Sequence, residues 1–247
     1  MAGNGQCDEF SCFLPANFMK TISQIIFQAE RQSKTLESDK KNRGNAGGIY
    51  GLVVCGGRSS RMGTDKGLLV YHDRPQQYHV YEMLNTICDR VFLSCNKTQF
   101  ANILPGYAAL EDDAEFANIG PMAALLTAFF HHPEKDFLIV GCDYPFLKKK
   151  TLQHFVDTLS KKSLAAAFYN TDHKYEPLLA WYSLASANIL KNYFNCGKYS
   201  LQQFLNEEAA EKYRPEEPTA MKSVDTYDEF QRVKLFFENL KNERKND

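Results

Sequence analysis

The sequence has 247 residues, 44% of them apolar, and is long enough for one large domain with a substantial core. Its 29 Lys and Arg residues nearly balance 30 Asp and Glu residues, so the formal net charge is −1. No global positive field attracts nucleic acid or an anionic membrane surface, and any cationic site must be local, which suits a small anionic ligand.

The seven cysteines predict reduced thiols. Their number is odd, and no two have Cys-x2-Cys spacing, which argues against a disulfide framework or a zinc site. No apolar run approaches the roughly 18 residues of a membrane-spanning helix, and the N-terminus lacks a basic segment followed by a clean apolar one. We therefore expect a cytoplasmic protein that does not enter a membrane.

Residues 1–47 are predicted to be an N-terminal extension. Apolar residues recur at helical spacing from Phe18 to Ala29, which predicts one amphipathic helix. The polar segment from Gln32 to Gly48 has the composition of a linker. The helix is either a docking element or a loosely packed addition, and we favour the second interpretation.

An apolar run from Ile49 to Cys55 predicts a buried strand with no polar face, as in a parallel sheet. The run leads directly into Gly56 and Gly57, and the loop that follows carries three cations, among them Arg61 and Lys66. Glycine lets the backbone approach a ligand closely, and three cations on such a loop indicate an anion, most naturally phosphate. The glycine spacing fits neither a Walker A loop nor a dinucleotide fingerprint.

Helices and strands are predicted to alternate along the rest of the chain. Apolar periodicity predicts helices over 76–88, 122–130, 149–159, 186–194, 200–210 and 228–242, and strands over 90–95, 107–110, 137–140, 164–169, 178–182 and 221–224. Thr226 and Glu229 have capping-box spacing at the start of the last helix. The alternation predicts an α/β fold with a mainly parallel sheet.

Polar residues directly follow several of these strands, at Asn96, Asp112 and Asp143. Ligands of such sheets bind beyond the carboxyl ends of the strands, where these residues and the cationic loop are expected to meet. Asp143 follows a wholly apolar strand, where a bare carboxylate is costly unless it is paired or bound to a metal. Mg²⁺ prefers one or two carboxylates with substrate phosphates and water, although a helix cap is the alternative role for this Asp.

The segment from Gly56 to Lys66 resembles the signature Gly-Gly-x-Ser-x-Arg-Met-Gly-x-Asp-Lys of nucleotidyltransferases of the NTP-transferase fold. Its Gly-Gly pair, and Asp65 directly before Lys66, are most similar to molybdenum cofactor guanylyltransferases. Cys142-Asp143-Tyr144-Pro145 matches the Cys-Asp-x-Pro of that family, and Glu176-Pro177-Leu178 matches its x-Pro-Leu. The resemblance covers roughly residues 49–240. It implies a Rossmann-like three-layer α/β/α fold, similar to nucleotide-diphospho-sugar transferases, with residues 48–247 as the nucleotidyltransferase domain.

The resemblance also implies an activity, namely Mg²⁺-dependent transfer of GMP from GTP to molybdenum-bound molybdopterin. Pyrophosphate and molybdopterin guanine dinucleotide would be the products, and transient contact with cofactor-synthesis or acceptor proteins is implied. Arg61 and Lys66 would hold the triphosphate, and Asp143 would bind the metal. The implied nucleotide-binding positions are Val54, Cys55, Gly56, Gly57, Lys66, Asn96, Asp112 and Asp143.

Departures from the family pattern leave the substrates open. Ala124 replaces a glycine of the Gly-Pro-Leu-Ala-Gly segment, and Ser223-Val224-Asp225-Thr226-Tyr227 replaces Asn-x-Asn-Thr-Pro. Asp225 is either a second magnesium ligand or part of the cap of the last helix, and we favour the cap. The alternatives to the guanylyl reaction are a CTP-dependent enzyme, a sugar-phosphate nucleotidyltransferase and a non-catalytic nucleotide sensor.

Overall fold

The fold is built on a seven-stranded sheet. The structure, a computed structural model, describes residues 48–55, 65–160 and 162–246, the last three as backbone alone. The strands are β1 (Ile49–Val54), β2 (Arg90–Cys95), β3 (Ala109–Glu111), β4 (Asp136–Gly141), β5 (Ala165–Tyr169), β6 (Tyr175–Tyr182) and β7 (Glu211–Tyr213). Their order is β3-β2-β1-β4-β6-β5-β7. Neighbouring strands pair in parallel, except that β6 is antiparallel to both β4 and β5.

Helices connect most of these strands. They are α1 (Gln76–Asn85), α2 (Lys97–Phe100), α3 (Pro121–His131), α4 (Lys149–Asp157), α5 (Ser186–Asn195), α6 (Leu201–Glu207) and α7 (Tyr227–Asn246). Short 3-10 segments lie at Lys66–Leu68, Ala114–Phe116 and Pro218–Met221. The predicted α/β class with a mainly parallel sheet is confirmed. Among the described residues, no helix is long and apolar enough to cross a bilayer.

Alternate residues of the central strands pack into separate cores on the two faces of the sheet. In β1, Leu52 and Val54 join a cluster that includes α3, whereas Val53 and Cys55 join one that includes α1. Side chains alternate in direction along a strand, so a wholly apolar β1 indicates that both faces are covered. This burial produces the predicted three-layer arrangement.

The strand order places a crevice beside β1. From β1 the chain passes to β2 and β3 on one side, and it later returns to place β4 on the other side. The connections therefore diverge between β1 and β4, and such a switch point opens a crevice at the carboxyl ends of the strands. The signature loop follows β1 at this point, and the Cys142–Pro145 segment follows β4.

One predicted strand is wrong. Residues 221–224 do not pair with the sheet: a 3-10 turn ends at Met221, and Val224 is buried in a small cluster with Leu69, Tyr71 and two side chains of α7. The alternating pattern of residues 221–224 therefore reflects burial of Val224 in this cluster and not pairing with another strand. The seventh strand is instead β7, a short and partly exposed sequence that pairs only with β5 among the described strands.

The start of α7 confirms the predicted capping box. Thr226 Oγ1 accepts a hydrogen bond from the Glu229 backbone N–H at 3.3 Å, and the Glu229 carboxylate accepts one from the Thr226 N–H at 3.1 Å. This reciprocal pair satisfies N–H groups that the first turn of a helix leaves unpaired. The predicted extension, residues 1–47, lies outside the described residues, so its helix, its linker and the domain boundary stay predictions.

Candidate functional site

Asp143 lies at the carboxyl end of β4, two residues beyond Gly141. Its Oδ1 atom is shielded from solvent and has no hydrogen-bond partner among the described residues. A buried carboxylate oxygen without a partner carries an unpaid desolvation cost. The apolar strand β4 therefore places the Asp143 carboxylate where a bound cation would stabilise it.

The electrostatics of Asp143 are dominated by burial. Loss of solvent raises the pKa of this carboxyl from 3.8 to about 6, Lys66 opposes the rise, and the charges of Asp225 and Glu176 add to it. The cation already present is therefore not enough to offset burial. An additional positive charge at Oδ1 would stabilise the ionised form.

Lys66 joins the signature loop to the segment before α7. Its Nζ lies 2.6 Å from Asp225 Oδ1, and Asp225 Oδ2 accepts a hydrogen bond from Ser223 Oγ at 3.0 Å. The Val224 N–H donates to the Asp143 carbonyl at 2.9 Å. This bond holds the segment before α7 against Asp143, the candidate metal ligand. The preferred role of Asp225 as part of the cap is confirmed for its backbone, whose N–H donates to the Glu229 carboxylate at 2.9 Å. Its carboxylate has another role: Thr226 supplies the capping side chain, and the Asp225 carboxylate contacts Lys66 and Ser223.

The residues present fit a magnesium ion. Asp143 contributes a carboxylate whose buried oxygen is unpartnered, and Asp225 is close enough for its charge to act on Asp143. In the described part of the chain, no three His, Cys, Asp or Glu side chains group as a metal site. One or two carboxylates are the usual protein contribution to Mg²⁺, with phosphates and water completing the shell.

Asp65 and Gln99 link the loops after β1 and β2. Asp65 Oδ1 accepts a hydrogen bond from the Gly67 N–H at 2.9 Å, and Asp65 Oδ2 accepts one from the Gln99 side-chain amide. Gln99 also forms a capping box with Asn96 at the start of α2. The chain Asn96–Gln99–Asp65 therefore positions the turn that presents Lys66. Sequence analysis missed this role of Asp65 and Gln99, because nothing local indicates a bond across 34 positions.

The predicted nucleotide-binding residues that the structure describes lie at the same edge of the sheet. Val54 ends β1 and Cys55 follows it, both buried, and Asn96 is exposed. Asp112 accepts a hydrogen bond from Ser94 Oγ at 2.9 Å, and burial raises the pKa of its carboxyl. Gly56, Gly57 and Arg61 lie outside the described residues. The structure thus brings Lys66 and Asp143 together, with Asn96 and Asp112 on the β2–β3 side.

Three cysteines form a row beneath the site. Cys95, Cys55 and Cys142 lie at the ends of the neighbouring strands β2, β1 and β4, and all three are buried. Burial raises the pKa of Cys95 to about 12, and contact with Cys55 together with burial holds that of Cys142 well above its usual value. The thiols of Cys95 and Cys142 are therefore protonated, and all three cysteines are free and buried, as predicted for reduced cysteines in apolar strands.

A partly buried hydrogen-bond network extends from Tyr144, the residue after Asp143, towards β5. Tyr144 Oη donates to Glu176 Oε2 at 2.9 Å, and the Asn170 amide donates to Glu176 Oε1 at 2.8 Å. Sequence analysis noted Glu176 only as part of a matching segment and gave it no role. Its position at the first residues of β6 was the available signal, because β6 begins at the edge where the other strands end.

Replacing Gly141 by alanine is expected to lower the free energy of unfolding by about 1–3 kcal/mol. An added Cβ would lie 2.6 Å from Asp143 Oδ1 and 3.2 Å from Leu178 Cβ, so the buried carboxylate must move. Urea denaturation measures the loss. Gly51→Ala in β1 is the matched control, since the nearest atom to its added Cβ is in the Val91 side chain, at 3.1 Å. An equal or greater loss of stability in the Gly51 variant would contradict the prediction.

The chain is similar in sequence to known proteins. A profile of the family described as MobA-like NTP transferase domain matches residues 51–212. The chain is 26% identical over 187 residues to a molybdenum cofactor biosynthesis bifunctional protein from Synechocystis, covering 75% of this chain and 53% of that relative. The chain thus spans about half the length of this relative. It is 29% identical over 156 residues to a molybdenum cofactor guanylyltransferase from Pseudomonas entomophila, covering 62% and 80% of the two chains.

A solved structure shares the fold. The crystal structure of molybdopterin-guanine dinucleotide biosynthesis protein A from Archaeoglobus fulgidus superposes with a TM-score of 0.64 at 19% identity. The match covers 77% of this chain and 99% of that one. The chain thus shares its overall fold with this protein.

Proposed function

Because this chain belongs to the MobA-like NTP transferase family, we propose that it transfers GMP from GTP to molybdenum-bound molybdopterin. The products are molybdopterin guanine dinucleotide and pyrophosphate. The observation that carries the proposal is the convergence of Lys66 and Asp143, whose Oδ1 has no hydrogen-bond partner among the described residues, at the switch point between β1 and β4. Relatives named as guanylyltransferases support the choice of base and acceptor.

The reaction depends on neutralising the negative charge of the phosphates more than on a general base. An oxygen of the acceptor's phosphate attacks the α-phosphorus of GTP, the bond to the β-phosphate breaks, and pyrophosphate leaves with the electron pair. The attacking group is already an anion, so no side chain has to remove a proton. Positioning the reactants and neutralising their charge supply most of the acceleration.

Each named residue has a role in this scheme. Lys66 neutralises phosphate oxygens as a compact charge, and Arg61 binds them as a planar fork. Asp143, with Asp225 as its neighbour, would hold Mg²⁺, which would polarise the phosphate oxygens. By the family resemblance, main-chain groups of Val54, Cys55 and Gly56 would contact the base, and Gly57 would let the backbone approach the phosphates. Asn96 and Asp112 line the nucleotide on the β2–β3 side.

A thermal-shift comparison of GTP, CTP and ATP, with and without Mg²⁺, tests the proposal. A ligand that binds only the folded protein raises its Tm. At a free ligand concentration of a hundred times Kd, the free energy of unfolding rises by about 2.7 kcal/mol. We expect GTP to give the largest shift and Mg²⁺ to increase it. A larger shift with CTP would move the function to cytidylyl transfer, and the absence of a shift with any nucleotide would overturn the proposal.

A further inference from the structure

Two basic side chains pack against one tyrosine ring at the end of β5, at the same edge of the sheet as Asp143. Lys212 Nζ lies 4.5 Å from the centroid of the Tyr169 ring and 5.9 Å from that of Tyr175. Arg214 Cζ lies 5.1 Å from the Tyr169 centroid. The two rings pack edge to face with centroids 5.0 Å apart. We call these four residues the cation–aromatic cluster.

Strand pairing fixes the cluster. Tyr169 and Tyr175 are cross-strand neighbours of β5 and β6, and Lys212 pairs with Ala167 in the parallel β5–β7 ladder. Residues two apart on a strand share a face, so Lys212 lies on the Tyr169 side, and Arg214, directly after β7, also contacts the Tyr169 ring. The Tyr175 hydroxyl donates to the Ala210 carbonyl at 2.6 Å. The rings are buried and held in place, whereas both basic residues are exposed.

The positive charge of the cluster is not neutralised within the described residues. Lys191 and Lys198 also lie over aromatic rings, but each makes an ion pair with a glutamate. Neither Lys212 nor Arg214 makes an ion pair with a carboxylate of the described chain. The nearby Glu176 carboxylate is occupied on both oxygens by Tyr144 and Asn170. Two like charges against one ring repel each other, and an anion between them would relieve that repulsion.

The cluster lies at the same edge of the sheet as Asp143. Tyr169 ends β5, and β6 separates β5 from β4. Two strand spacings correspond to about 10 Å. Tyr169 and Tyr175 belong to the core on the α3 face, whereas Val140 belongs to the core on the other face. Gly141 follows Val140 and therefore faces the same side as the rings, and an added Cβ there would lie 2.6 Å from Asp143 Oδ1. A molecule whose phosphate lies at Asp143 would therefore extend towards the cluster on the side away from β2 and β3.

We infer that the cation–aromatic cluster binds the acceptor, which makes it a specificity-determining site for an anionic, flat molecule. The inference rests on the proposed function. Molybdenum-bound molybdopterin carries an anionic oxo-molybdenum group on the two sulfur atoms beside its fused pterin ring, a few bonds from the attacking phosphate. Lys212 and Arg214 bind that anionic end, and the guanidinium of Arg214 matches the ring plane as well as the charge.

The test compares two double variants that remove the same charge. Lys212→Ala with Arg214→Ala is expected to raise the KM for molybdenum-bound molybdopterin about tenfold. The KM for GTP and the kcat should stay unchanged. The acceptor KM of the wild type should rise with ionic strength, and that of the variant should rise less. Lys191→Ala with Lys198→Ala is the matched control and should leave all three constants unchanged.

An unchanged acceptor KM in the first variant, or an equal rise in the control, would overturn the inference. Acceptor binding measured directly by pterin fluorescence separates this outcome from failure of the proposed function. Wild-type protein that binds the acceptor but does not transfer GMP would refute the proposed function alone. The inference then stands if the first variant loses binding and falls if it does not.

Discussion

Replacing Asp143 by asparagine is expected to lower kcat/KM by about a thousandfold or more, because an electrostatic element of the transition state is lost. The amide keeps the size of the side chain but removes the charge that holds Mg²⁺. Steady-state GMP transfer at saturating Mg²⁺ measures the loss. A variant with more than a tenth of the wild-type activity would refute the metal role.

The same substitution should make the metal-free protein more stable. The folded-state pKa of about 6 exceeds the ordinary 3.8, so ionised Asp143 destabilises the fold. This penalty grows as the pH rises through that interval and is complete above it, at about 3 kcal/mol as an upper value. The Tm advantage of Asp143→Asn should therefore be larger at pH 8 than at pH 5. If the Asp143→Asn variant loses activity but has the same Tm as the wild type at both pH values, this account of the buried charge is contradicted.

Replacing Lys66 by alanine is expected to weaken GTP binding about 10- to 100-fold, the loss of one charge-assisted contact with phosphate. Its kcat should fall less than that of the Asp143 variant. Isothermal titration with GTP in the presence of Mg²⁺ measures the change. An unchanged GTP affinity would mean that the Lys66 charge serves Asp225 and not the nucleotide.

Asp225→Asn is the matched control for Lys66, because it removes the partner that lies 2.6 Å from the Lys66 ammonium. If Asp225 only restrains the lysine, the variant should bind GTP at least as tightly as the wild type without Mg²⁺. If Asp225 also binds the metal, the gain should reverse when Mg²⁺ is added. The pair of titrations therefore decides between the two roles of this carboxylate.

The sequence predicted the residues that follow the strands, and the reason is local. Leu52 to Cys55 and Phe137 to Val140 are apolar on both faces, which indicates strands covered by helices, and Asp143 follows directly. Thr226 and Glu229 revealed the cap of α7 through spacing alone. In each case the signal lies within one turn or one strand.

Pairings between distant segments were not predictable in this way. Lys66 with Asp225, Asp65 with Gln99 and Tyr144 with Glu176 each depend on the order of the strands and on where the loops meet. The misassigned strand at 221–224 has the same cause, because burial against Leu69 and Tyr71 reproduces a strand-like alternation.

The ion pair of Lys66 and Asp225 also has a consequence for synthesis. Its partners are 159 positions apart, which at typical elongation rates is a delay of roughly 8–30 seconds. During that interval β1 to β4 can emerge and pair, while Leu69 and Tyr71 wait for Val224 and α7 to cover them. The ion pair, and the apolar cluster of Leu69 and Tyr71 with Val224, are therefore completed only late in synthesis.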